Sequence, residues 1–70
     1  MEDIRIKLAK RLRELRKKYG YTQERLAGLS GVAYKHIQRL ESKKPTGVRL
    51  DTLEKIAKAF GMSISEFLNF

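Results

Sequence analysis

Seventy residues with sixteen Lys and Arg against eight Asp and Glu, a formal net charge of +8, no cysteine and a single histidine describe one small basic domain over residues 1–70. A chain of this length buries only about 60% of the surface that its unfolded form exposes, and without cysteine neither a disulfide nor a thiolate metal site can support it. One histidine, His36, rules out a multi-histidine metal cage, so stability has to come from helix packing, with a partner subunit as a possible supplement.

The first expected helix carries most of the charge. Ile4, Leu8, Leu12, Leu15 and Tyr19 recur at steps of four and three, one apolar stripe that Gly20 stops. Around it stand Arg5, Lys7, Lys10, Arg11, Arg13, Arg16, Lys17 and Lys18 against Glu14 alone, a balance that points to a polyanion, nucleic acid or an anionic membrane surface. A second helix is expected from the N-cap Thr22, with Gln23 and Glu24 in its first turn, to about Leu29, closed by Gly31. A third covers roughly Ala33 to Ser42 with Ile37 and Leu40 inward, and Lys43 to Val48 read as a loop. A fourth spans about Leu50 to Phe60, burying Leu53, Ile56, Ala57 and Phe60 before Gly61. Ser63-x-x-Glu66 has the form of a capping box and launches a last short helix with Ile64, Phe67 and Leu68 inward. Strand signals are absent, so the fold class is all-α, a compact bundle of five short helices.

The middle of the chain has the spacing of a helix-turn-helix, two helices held at a steep angle across a very short turn. Leu26 is apolar and Ala27 small where the helices pass closest; Gly31 sits in the turn; Val32 tucks beneath it; Ile37 and Leu40 anchor the second helix. Thr22-Gln23-Glu24-Arg25-Leu26-Ala27, through Gly31-Val32, to Ile37-Gln38-Arg39-Leu40-Glu41 resembles the Cro and phage-repressor type of helix-turn-helix, the XRE family. Leu12 to Arg16 is similar to that family's first helix, and Leu50 to Leu68 to its last two. The resemblance covers nearly the whole chain and implies a lambda-repressor-like five-helix fold that docks its third helix in the major groove of DNA.

In that geometry the recognition helix meets base edges and the helix before it touches the backbone. Tyr34, Lys35, Gln38 and Arg39 project opposite Ile37 and Leu40 and have base-reading chemistry: Arg and Lys donate to guanine, Gln pairs with adenine, and a Tyr ring packs on a thymine methyl. A solvated helix face would have the same composition, and Gln38 would serve bases or phosphates equally. Phosphate contacts are expected from Thr22 and Gln23 at a helix N-terminus, the resemblance pointing to Gln23, and from Ser42, Lys43 and Lys44 beyond the recognition helix. Thr46 and Arg49 are lesser candidates. His36 is expected as an exposed imidazole at the rim. The resemblance further implies an ion pair between Arg16 and Glu41 that orients the recognition helix.

Two departures from the family stand out. Ala33 replaces the usual Ser or Thr cap of the recognition helix, a loss of about 1 kcal/mol, and Lys43 replaces a glycine, where a left-handed backbone would be uncomfortable. The expected function is sequence-specific binding of double-stranded DNA as a transcriptional regulator, with repression as its expected sense. The alternative is a protein-interaction module such as an antitoxin or adaptor. An enzyme is not expected, since no nucleophile–base pair, metal set or phosphate-cradling loop is present. RNA binding lacks a stacking platform. Lipid binding by residues 4 to 19 would require unfolding of the core, and no apolar run reaches the roughly 20 residues that span a bilayer. No cofactor and no small-molecule effector are expected. The expected place is the cytoplasm and the expected partner is duplex DNA. A homodimer, with Phe70 at its seam, is one reading of the C-terminus; a frayed end is the other.

Overall fold

A computed structural model describes residues 3–70; Met1 and Glu2, the first positions of the expected domain, lie outside the described residues. Five helices follow one another: α1 (Ile4–Lys18), α2 (Gln23–Ser30), α3 (Tyr34–Leu40), α4 (Leu50–Ala59) and α5 (Ile64–Phe67), and no strand occurs among the described residues. α2 packs on α3 and α4, α1 on α3, and α4 on α5.

Local chemistry sets the boundaries. Asp3 caps α1 by accepting the Arg5 N–H at 2.8 Å, Thr22 caps α2 by accepting the Arg25 N–H at 3.0 Å, and the capping box of Ser63 and Glu66 opens α5. Gly20 and Gly31 follow α1 and α2 at φ 71° and 75°, a left-handed conformation that costs glycine nothing and a branched residue much. Gly31 is also the turn of the helix-turn-helix, and its N–H closes onto the Ala27 carbonyl at 2.9 Å. Ala33 provides no side-chain cap for α3.

One core joins all five helices. It contains Leu8, Leu12 and Leu15 of α1, Leu26, Val32, Ile37 and Leu40 around the turn, and Leu53, Ile56, Ala57, Phe60 and Phe67. Burying each large apolar side chain contributes about 1.5–3 kcal/mol. The stripe of α1 is shorter than its period suggests: Ile4 is 65% exposed and Tyr19 40%. Fifteen residues make a helix of about 22 Å, whereas the seven of α3 reach only about 10 Å, so the ends of α1 overhang. Tyr19 is not idle there, since its ring stands edge-on to Phe60 at 5.2 Å, beside Tyr21 stacked on the same ring at 5.9 Å.

α3 ends at Leu40, two residues before the expected stop. Glu41 is its C-cap, Ser42 Oγ donates to the Arg39 carbonyl at 2.7 Å, and Pro45 follows. A proline clashes with the carbonyl four residues back and cannot continue the helix. Its ring is buried and seats the loop that leads to α4. Lys43 avoids the left-handed region, as does every described non-glycine residue.

Candidate nucleic-acid interface

With Ile37 and Leu40 essentially inaccessible, the 3.6-residue period turns the rest of α3 outward in two rows. Tyr34 and Gln38 form one, Lys35 and Arg39 the other, and all four are exposed. None of Lys35, Gln38 or Arg39 has a side-chain hydrogen bond or a carboxylate partner among the described residues. Lys35 and Arg39 are like charges at i and i+4, an arrangement that destabilises an isolated helix by a few tenths of a kcal/mol and that an anion laid across both would relieve. His36 differs from its expected exposure, being half-buried.

Glu41 organises the far end of α3. Its side chain is 3% exposed and accepts Arg16 Nε at 2.8 Å and Arg16 Nη2 at 3.0 Å, a bidentate pair between α1 and the end of α3. Arg16 Nη1 also donates to the Tyr21 carbonyl at 2.9 Å, and Gln23 Nε2 reaches Glu41 Oε1 at 3.3 Å. Arg13 Nη1 donates to the Glu41 backbone carbonyl at 2.6 Å. Two arginines of α1 therefore hold the negative end of α3, one on the carboxylate and one on the backbone, where cations are favoured by the helix dipole.

Four of the eight cations of α1, all of them arginines, are engaged within the chain. Arg11 donates to the Phe67 and Glu66 carbonyls, both at 2.9 Å, and ties α1 to α5. Arg5 forks onto Asp3 through Nε at 3.2 Å and Nη2 at 2.8 Å. These side-chain bonds, and then the backbone N–H of Arg5, hold the Asp3 carboxyl down to about 2 from an ordinary 3.8. Arg11 and Arg13 escaped the sequence reading because their partners are backbone carbonyls distant in the chain, which no residue pattern marks.

The expected phosphate-contacting residues fall into two places. At the start of α2, the backbone N–H groups of Gln23 and Glu24 have no partner among the described residues, which suits an anion. Thr22 is exposed, and its hydroxyl already accepts one bond. Gln23 is half-buried with one amide proton on Glu41, leaving a second for another acceptor. Beyond α3, Lys43 and Lys44 are exposed without a carboxylate partner among the described residues. Ser42 is exposed too, but its O–H is engaged by the Arg39 carbonyl. Arg49 pairs with Asp51 at 3.3 Å.

A helix-turn-helix family model matches residues 12–67. The chain is 38% identical over 69 residues to the HTH-type transcriptional regulator PuuR of Escherichia coli (strain K12), and equally to that of Shigella flexneri. Each match takes in 99% of this chain, which spans 37% of the length of those relatives. By matched span and by the arrangement of α2, Gly31 and α3, the chain belongs to the XRE-type helix-turn-helix family.

Proposed function

We propose that residues 1–70 act as one DNA-reading domain, which lays α3 in the major groove of a duplex with sequence preference and serves transcriptional regulation as a repressor. The rows on α3, exposed and without a side-chain partner among the described residues and set on a helix whose opposite face is fixed in the core, carry this reading. Tyr34, Lys35, Gln38 and Arg39 face base edges. Thr22, Gln23, Lys43 and Lys44 grip phosphates on either side, and Ser42 joins them once its hydroxyl turns from Arg39. Such a chain works in the compartment that holds the DNA, the cytoplasm, and needs no catalytic step or cofactor.

Two copies reading half-sites about 34–36 Å apart would make up for the small interface of one module. A mostly apolar groove of Ile4, Val48, Leu53, Leu68 and Phe70, lined also by Arg5 and Lys7, with Phe70 48% exposed, supports pairing at that end.

Replacing Lys44 tests the gripping role. Lys44→Ala should weaken binding to all duplexes alike and lower the slope of log K against log salt by just under one unit, about 0.9. A loss confined to one preferred duplex, with the slope unchanged, would remove Lys44 from the phosphate contacts.

A further inference from the structure

The basic side chains of α1 separate by where they point. Arg11, Arg13 and Arg16 are committed to carbonyls and to Glu41. Arg5 lies apart, at the start of the helix, and lines a groove of about 470 Å³ together with Asp3, Ile6 and the loop residues Lys43, Lys44, Pro45 and Thr46. Two segments distant in the chain therefore bring three cations against one carboxylate into a single groove, immediately past the end of the recognition helix. The buried Pro45 holds the loop in place while Lys43, Lys44 and Thr46 stay exposed around it.

Arg5 retains donors for a ligand. A guanidinium has five N–H groups; Asp3 takes one from Nε and one from Nη2, which leaves both protons of Nη1 and one of Nη2. Asp3 occupies one edge of the guanidinium, and the free Nη1 and Nη2 protons on another edge form a fork of the kind that suits a phosphate. Lys43, Lys44 and Thr46 line the same groove and carry two ammonium groups and a hydroxyl as further donors. A cationic ligand would be repelled by the excess of positive charge, so the groove favours an anion.

We propose that this groove binds one backbone phosphate of the DNA duplex, with Arg5 as a ligand, so that the first turn of α1 belongs to the DNA interface. The inference rests on the DNA-binding reading and extends it to a residue outside α2, α3 and their loops. The phosphate contacted lies beyond the bases read by α3, so the groove adds affinity and no sequence preference.

The test compares Arg5→Gln, Lys44→Gln and Lys58→Gln in equilibrium binding to one preferred and one unrelated duplex over about 50–200 mM salt. Lys58 is on α4, 3.8 Å from Glu54 and outside the groove. Arg5→Gln keeps the backbone cap on Asp3, and its melting temperature verifies the fold. The expected result is a slope lower by just under one unit and a five- to tenfold loss near 0.1 M salt on both duplexes, with Lys58→Gln unchanged. If Arg5→Gln keeps the parent slope while Lys44→Gln lowers it, the groove proposal is overturned and the DNA reading stands. An equal loss in Lys58→Gln would assign the effect to net charge and overturn the groove as well. If the parent itself shows no salt-dependent duplex binding, the DNA reading fails first.

Discussion

Glu41→Ala is expected to lower the free energy of unfolding by about 3–5 kcal/mol, the range for removing one partner of a buried ion pair. Glu41 is the buried charged residue of the described core, and Arg16 opposite it has a side chain only 16% exposed. Truncation leaves Arg16 Nε and Nη2 without acceptors, while Nη1 keeps the Tyr21 carbonyl. It also frees the Gln23 amide and removes the tie between α1 and the end of α3. For 70 residues, total stability is on the order of 4–10 kcal/mol, so the variant should sit near its unfolding transition in water. A denaturant titration reads this directly. A loss of about 0–1 kcal/mol would mean that the pair behaves as a solvent-exposed one.

Arg39→Ala should leave stability within about 0.5 kcal/mol of the parent, because its side chain is exposed without a partner among the described residues. The change even relieves the repulsion from Lys35. Binding is where it should appear: about 1–3 kcal/mol lost on the preferred duplex, with tolerance gained at a single base step. Titrations against duplexes that vary one position at a time measure both quantities. A uniform loss across those duplexes would reassign Arg39 from bases to phosphates. Together the two variants separate what aims α3 from what α3 reads.

What the sequence made legible was local. Thr22, Gly31 and the Ser63–Glu66 box mark helix ends because a cap or a left-handed residue acts within a few positions. The outward face of α3 follows once Ile37 and Leu40 are placed inward, since the helical period leaves no choice for Tyr34, Lys35, Gln38 and Arg39. Long-range chemistry was not legible in the same way. In the sequence Arg11 and Arg13 count toward a basic cluster that points to a polyanion, yet their guanidinium groups bond the carbonyl ends of α5 and α3. Their partners are backbone carbonyls, which every residue has, so no pairing of types could announce them. The Arg16–Glu41 contact was expected only through family resemblance. The early end of α3 depended on a balance among Ser42, Pro45 and the demands of Arg13 and Arg16 on Glu41, which periodicity does not weigh.

The basic composition also changes meaning with the structure. Arg11, Arg13 and Arg16 each have an internal acceptor, so net charge overstates what α1 offers to a polyanion. On α3 and the loop behind it, Lys35, Arg39, Lys43 and Lys44 are exposed without a carboxylate partner among the described residues. A small fold thus uses arginine both to fix its recognition helix and to present it.

The most direct test of the central claim is selection of bound fragments from a random duplex library at physiological salt, followed by sequencing. Enrichment of an inverted repeat with half-site centres about one helical turn apart is the predicted result, establishing sequence-specific reading by paired copies. A folded protein that enriches no sequence would contradict the claim, leaving charge-driven association alone and favouring a role in holding another protein.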